Sequence, residues 1–138
     1  MNITKYPQFQ LYLLTLKLAQ LKQQIIPKNC DERCINSTII NRAYYSAYLM
    51  CQLWLEETHN FKPKSPWDFE DGEEQISSHK QIRNALINFG ERKIKTELHN
   101  LFDLRSKADY NPFVDITPQE VTDAIKYMEN IIHNLEFN

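Results

Sequence analysis

The stretch Thr117-Pro118-Gln119-Glu120-Val121-Thr122-Asp123-Ala124-Ile125-Lys126-Tyr127-Met128-Glu129-Asn130-Ile131-Ile132-His133-Asn134-Leu135 decides the fold class. It opens with an N-cap threonine, a proline at the first helical position, and a glutamate three residues after the cap. That order makes a reciprocal capping box. Val121, Ala124/Ile125, Met128, Ile131/Ile132 and Leu135 then step by three and four along one apolar face. The segment is a helix whose face has to be buried against other elements.

The chain ahead of it supplies them. A fourth helix is expected from about Glu91 to Lys107, with Ile94, Leu98, Leu101 and Phe102 as its stripe. A third is expected from Ser77 or Ser78 to about Phe89, with Ile82, Ala85, Leu86 and Phe89 inward and Gly90 as C-terminal cap. Between Thr58 and Ile76 the pattern breaks at Pro63, Pro66 and Gly72. Trp67 and Phe69 sit inside this polar loop and either fold back onto the body or wait for a partner; we expect the first, because an exposed apolar patch is a liability. A second helix is expected from Asn36 or Ser37, both good caps, to about Glu57. Its inner stripe is Ile40, Ala43/Tyr44, Ala47, Met50/Cys51 and Trp54. Arg42, Tyr45, Ser46 and Leu49 fall on a neighbouring face, which fits either a second packing surface or ordinary exposure. The first helix is expected from Pro7 to Ile25 with Leu11, Leu14, Leu18, Leu21 and Ile25 inward. Pro27 ends it, and the polar segment from Pro27 to Asn36 reads as a connector. We therefore expect an all-α protein, an up-and-down helical bundle of four long helices plus one shorter helix, forming a single domain over residues 1–138. The presence of only 2 glycines argues against an all-β alternative, which needs more turn glycines.

The formal charge of −2 excludes a uniformly basic nucleic-acid binder, but the charge is uneven. Glu56 to Glu74 holds seven acids against two bases, and Ser77 to Tyr110 holds seven bases against four acids. A local basic face suits phosphate; a solvated helix surface explains it equally well. Of the 3 cysteines, Cys30 and Cys34 lack the second Cys or His pair that a zinc site needs, and Cys51 lies on an apolar stripe and reads as core. We expect no metal and no cofactor. An odd cysteine count suits a reducing compartment. With neither a signal-peptide pattern nor an apolar run of membrane-spanning length, the expectation is a cytoplasmic protein that does not enter a membrane.

Chemistry concentrates in Leu104-Arg105-Ser106-Lys107-Ala108-Asp109-Tyr110. Arg105 continues the apolar stripe of Leu101, where a cation has to reach solvent or be paired. Its planar fork suits phosphate or carboxylate, and a salt bridge to Asp109, four residues on, is the plain structural alternative. Asp109 orients Arg105 or caps the turn that follows. His79 stands at a helix start, where capping and exposure are the ordinary explanation.

Two stretches carry a resemblance. Asn41-Arg42-Ala43-Tyr44-Tyr45-Ser46-Ala47-Tyr48 looks like the R-x-Y-Y-x-A signature in the second helix of HEPN proteins (higher eukaryote and prokaryote nucleotide-binding domain). Leu104 to Tyr110 is similar to the L-R-x-x-A-D-Y motif of one large bacterial and archaeal branch of that family. Ser78-His79-Lys80 falls where that branch often has a histidine opening the third helix. The resemblance covers roughly residues 37–135. It implies a helical bundle, usually a homodimer with its site in a cleft at the interface. It implies that active members are metal-independent endoribonucleases whose arginine is followed four to six residues later by histidine. Many are toxins paired with a minimal nucleotidyltransferase antitoxin, which in some cases attaches AMP to a tyrosine near the motif. This chain departs from the pattern at one point: Tyr110 stands where the nuclease histidine belongs, and no histidine occurs between Arg105 and His133. A tyrosine with its ordinary pKa of about 10 exchanges protons poorly near neutrality unless a cation lowers it.

The resemblance implies Arg105, Tyr110 and Asp109 as the reacting group of residues, with Arg42, Tyr45, His79 and Lys107 lining the substrate. The implied ligand is RNA, tRNA included, or a nucleotide. The missing histidine supports a second expectation, a non-catalytic partner subunit of a nucleotidyltransferase with Tyr110 as ligand contact or modification target. A helical adaptor docking through the Trp67–Phe69 loop is the third.

Overall fold

The computed structural model describes residues 2–26 and 31–137, and among these it holds five α-helices and no strand. They are α1 (Pro7–Ile25), α2 (Glu32–His59), α3 (Ser78–Asn88), α4 (Arg92–Tyr110) and α5 (Pro118–Asn134), with single 3-10 turns at Ile3–Lys5 and Pro66–Asp68. At 1.5 Å per residue α2 is about 42 Å long. It touches all four other helices, and α4 and α5 pack against each other as well. Along α2, Ile39, Ile40, Ala43, Tyr44, Ala47, Met50, Cys51 and Leu55 are fully buried. They meet Ile82 and Leu86 of α3, Leu98 and Leu101 of α4, and Ala124, Met128 and Ile131 of α5 in one core. The expected stripes of α2, α4 and α5 are therefore the buried ones, Phe102 lying half-buried at the edge. Among the described residues no helix is long and apolar enough to cross a membrane.

Five expectations need correction. The second helix starts at Glu32, not near Asn36, because Asp31 caps it by accepting the Arg33 N–H at 2.7 Å. Asn36 is instead 1% exposed, and its side-chain amide donates to the Ile116 carbonyl at 3.2 Å. The roles expected of Pro27 and Cys30 lie outside the described residues. The fourth helix runs on to Tyr110 because the Arg33 guanidinium gathers carbonyls at its end: Ala108 at 3.3 Å, Asn111 at 2.8 Å and Val114 at 3.0 Å. In α1 the buried residues are Tyr12, Thr15 and Lys22, while Leu14 is 55% exposed. Of the face expected inward, Leu18 and Ile25 pack at the edge of the core; the Tyr12 hydroxyl, which reaches His133, and the Lys22–Glu32 ion pair belong to the face that docks. Phe89 is 39% exposed and stacks on His59 at 3.9 Å rather than facing inward. Of the loop aromatics Phe69 folds back, half-buried beneath Lys64, and Trp67 stays 88% exposed.

The capping box of α5 is formed as read: the Thr117 hydroxyl accepts the Glu120 N–H at 3.1 Å and the Glu120 carboxylate accepts the Thr117 N–H at 3.0 Å. Replacing Thr117 by alanine is expected to lower stability by about 0.5–2 kcal/mol, seen as a lower urea midpoint at unchanged slope.

Candidate functional site

Three helices bring polar and aromatic side chains to one place. Asn41, Tyr44, Tyr45 and Tyr48 recur at helical spacing on α2. His79 and Arg83 stand one turn apart at the start of α3, and Phe102, Arg105 and Asp109 run along α4. Ser77 fixes the start of α3 by accepting the Lys80 N–H at 3.2 Å, and so sets where His79 emerges.

Arg105 is the centre. Its side chain is only 11% exposed. Nη2 donates to the Tyr45 hydroxyl at 3.0 Å. Nε lies 3.0 Å from Asp109 Oδ2 but off the line a hydrogen bond needs, so that contact is an ion pair alone. The same carboxylate oxygen accepts the Asn41 side-chain amide at 2.9 Å. The guanidinium carbon stands 5.7, 5.4 and 5.2 Å from the ring centres of Tyr44, Tyr45 and Tyr110. Burial works to lower its pKa, but Tyr45, Tyr110, Asp109 and Tyr44 outweigh it, so the guanidinium is held as a cation. The cation on the apolar stripe is therefore paired and ringed by aromatic faces, which removes the cost an unpaired charge carries there.

His79 sits against the same tyrosines. Its ring centre is 4.5 Å from Tyr48, 5.6 Å from Tyr44 and 6.3 Å from Tyr45, and its Nδ1 is hydrogen-bonded to the Tyr44 hydroxyl. Burial, then Arg105 and Arg83, hold the imidazole pKa below its ordinary value, so the ring is neutral near pH 7. Burial drives the Tyr44 phenol well above its ordinary pKa, which keeps that hydroxyl protonated. Arg83 lies over Phe102 at 4.7 Å and has no carboxylate partner among the described residues.

Of the residues expected at the site, Arg105, Asp109, Tyr110, Tyr45 and His79 come together. Tyr110 is 67% exposed, and among the described residues its hydroxyl makes no hydrogen bond. Arg42 is exposed beside Tyr45, one turn earlier on α2, with no partner among the described residues. Lys107 does not join them. Two residues beyond Arg105, it leaves α4 on another side and pairs with Glu120 at 2.7 Å. Burial raises the Glu120 pKa, but the Lys107 and Thr117 hydrogen bonds win and hold it below its ordinary value. Tyr44 and Phe102 were expected in helix stripes and Asn41 and Tyr48 stood only within the quoted α2 stretch; none of the four, nor Arg83, was expected as a site residue. The spacing of Asn41 to Tyr45 and of His79 to Arg83, four residues each, was the available signal. An open cleft of about 510 Å³ lined by Pro63, Lys64, Phe69, Ile76 and Ser78 adjoins the start of α3 and contains none of the charged groups of the cluster. Among the described residues no group of three or more His, Cys, Asp or Glu side chains is placed to hold a metal ion.

The family profile of the HEPN domain matches residues 67–137, which contain α3, α4 and α5 with His79, Arg105, Asp109 and Tyr110. No curated protein and no solved structure matches the chain. The matched segment is just over half of the 138 residues and carries the α3 and α4 parts of the arginine cluster, and the chain belongs to the HEPN domain family.

Proposed function

We propose that this protein binds RNA at the Arg105 cluster and cleaves it without a metal, as the toxin or effector half of a toxin–antitoxin or defence system. HEPN domains in general are RNA-cleaving or nucleotide-binding domains and often dimerise. The proposed working form is a cytoplasmic homodimer with Arg105 and Tyr110 in a cleft at the interface. The observation that carries the reading is the state of Arg105: a cation at 11% exposure, oriented by Tyr45 and Asp109 beside the exposed Tyr110. Arg83, and Arg42 nearby on α2, add positive charge with no carboxylate partner, which favours an anion over a closed salt bridge.

In metal-independent cleavage the nucleophile is the substrate's own 2′-hydroxyl. Its oxygen bonds to phosphorus as its proton leaves to a base. The P–O5′ bond then breaks, and O5′ takes up a proton. The products are a 2′,3′-cyclic phosphate and a 5′-hydroxyl end. Arg105 stabilises the charge that builds on the non-bridging oxygens, and Tyr110 serves as proton-transfer or positioning group. Purified protein incubated with tRNA or a structured RNA in EDTA is expected to leave those ends, and Tyr110→Phe to slow the reaction. Intact RNA across all tRNAs and structured RNAs tried removes the reading.

The exposure of Tyr110 favours a second reading, a non-catalytic partner of a nucleotidyltransferase. The Tyr110 oxygen attacks the α-phosphate of ATP there and pyrophosphate leaves. Mass spectrometry after incubation with ATP and the partner enzyme looks for AMP on Tyr110; finding neither the adduct nor a complex excludes it.

A further inference from the structure

We propose that His79 is the base that removes the 2′-hydroxyl proton, so that the arginine and the histidine of this site come from two helices rather than from one motif. The proposal rests on the cleavage reading given above. It moves proton transfer away from Tyr110, which is left to position the substrate.

Elimination comes first. His59 stacks on Phe89, His133 meets Tyr12, and His99 pairs with Asp103 at 3.6 Å. Of the four histidines, His79 is the one packed against the rings that hold Arg105. Both groups lie against the same aromatic pair: Tyr44 and Tyr45 are 5.6 and 6.3 Å from the imidazole centre and 5.7 and 5.4 Å from the guanidinium carbon.

The hydrogen bonding also fits a base. Nδ1 is committed to Tyr44, a fully buried residue that fixes the ring's orientation. Nε2 has no hydrogen-bond partner among the described residues and is not sealed from solvent. In the reacting tautomer Nδ1–H donates to the Tyr44 oxygen and the Nε2 lone pair faces outward. The charged and titratable groups around it are Tyr44, Tyr45 and Tyr48 from α2, Arg83 from α3 and Arg105 from α4, the last with Asp109. Two guanidinium groups disfavour an imidazolium in the resting protein. They disfavour it less once negative charge accumulates on the phosphate, so the proton moves as the O2′–P bond forms. After P–O5′ cleavage the proton on Nε2 passes to water.

The test uses the intact protein first. A nucleoside 3′-monophosphate is titrated into it and the histidine ring resonances are followed by NMR. His79 is expected to shift and its pKa to rise with nucleotide, and Arg105→Ala to abolish both changes. Activity supplies the second arm. The pH profile of kcat/KM is expected to rise along a limb below pH 6.5, the ordinary histidine value from which His79 is lowered. His79→Asn, which keeps an amide at the Nδ1 position, is expected to remove that limb and lower the rate about 10²–10⁴-fold. Added imidazole is expected to restore part of the rate in His79→Ala. Nucleotide binding that depends on Arg105 while His79 stays silent, or His79→Asn with an unchanged rate and limb, overturns the assignment of His79 and leaves the cleavage reading standing. A protein that binds no nucleotide and cuts no RNA removes both.

Discussion

Replacing Arg105 by alanine is expected to lower RNA cleavage by about 10²–10³-fold, the loss usual when one preorganised donor is taken from a developing oxyanion. The fold is expected to survive. Asp109 keeps the Asn41 amide at 2.9 Å, and its side chain is 26% exposed, so its charge is not stranded in a dry interior. The urea midpoint therefore falls far less than the rate does. Arg105→Lys separates charge from geometry. Lysine retains the cation but carries it as a point, and it cannot face Asp109 along one edge while donating to Tyr45 along another. It is expected to recover RNA binding at low salt and little of the rate. An Arg105→Ala protein that cleaves at the parental rate would show that the arginine is structural, a bridge between α2 and α4.

The site was partly written in the sequence, and what was missing has a physical cause. The pairing of Arg105 with Asp109 was legible because both stand on one helix at a spacing that brings side chains together. Nothing local announces that Tyr45, 60 residues earlier, supplies the other hydrogen bond to the same guanidinium. That contact exists because α2 and α4 share a core, and only the packing of their apolar stripes sets which polar residues meet above it. Lys107 fails as a site residue for the reverse reason: helical rotation over two residues sends it to Glu120. The boundary errors follow the same division. Asn36 and Ser37 have cap chemistry, but Asp31 lies first in the chain and captures the Arg33 N–H, leaving Asn36 to serve a tertiary contact with Ile116. Arg33 then does for the end of α4 what no residue near Tyr110 does, satisfying carbonyls at residues 108, 111 and 114. The position of Tyr110 thus depends on a residue some 75 places away in the chain, which no local spacing could reveal.

Tyr44→Ala is expected to be the most destabilising single change at this site, by about 3–5 kcal/mol, the range for removing a buried aromatic. Tyr44 is fully buried and has Tyr45, Tyr48, His79 and Phe102 as ring neighbours within 6 Å. Loss of the ring takes transfer free energy, leaves a cavity where three helices meet, and removes one aromatic face from Arg105. Tyr44→Phe separates these effects. It keeps the ring and deletes only the hydroxyl that holds His79 Nδ1, at a cost of about 0.5–1.5 kcal/mol for one hydrogen bond. Urea denaturation monitored by circular dichroism measures both variants. Cleavage kinetics then decide what the hydroxyl is for. If it orients His79, Tyr44→Phe lowers kcat more than its small stability loss explains, and Arg105-dependent binding persists. If Tyr44 is core and nothing else, the phenylalanine variant is nearly as active as the parent, and only the alanine variant fails, because it no longer folds at the assay temperature. A Tyr44→Ala protein as stable as the parent contradicts the packing described for α2, α3 and α4, since no other residue in that layer fills the volume the tyrosine leaves.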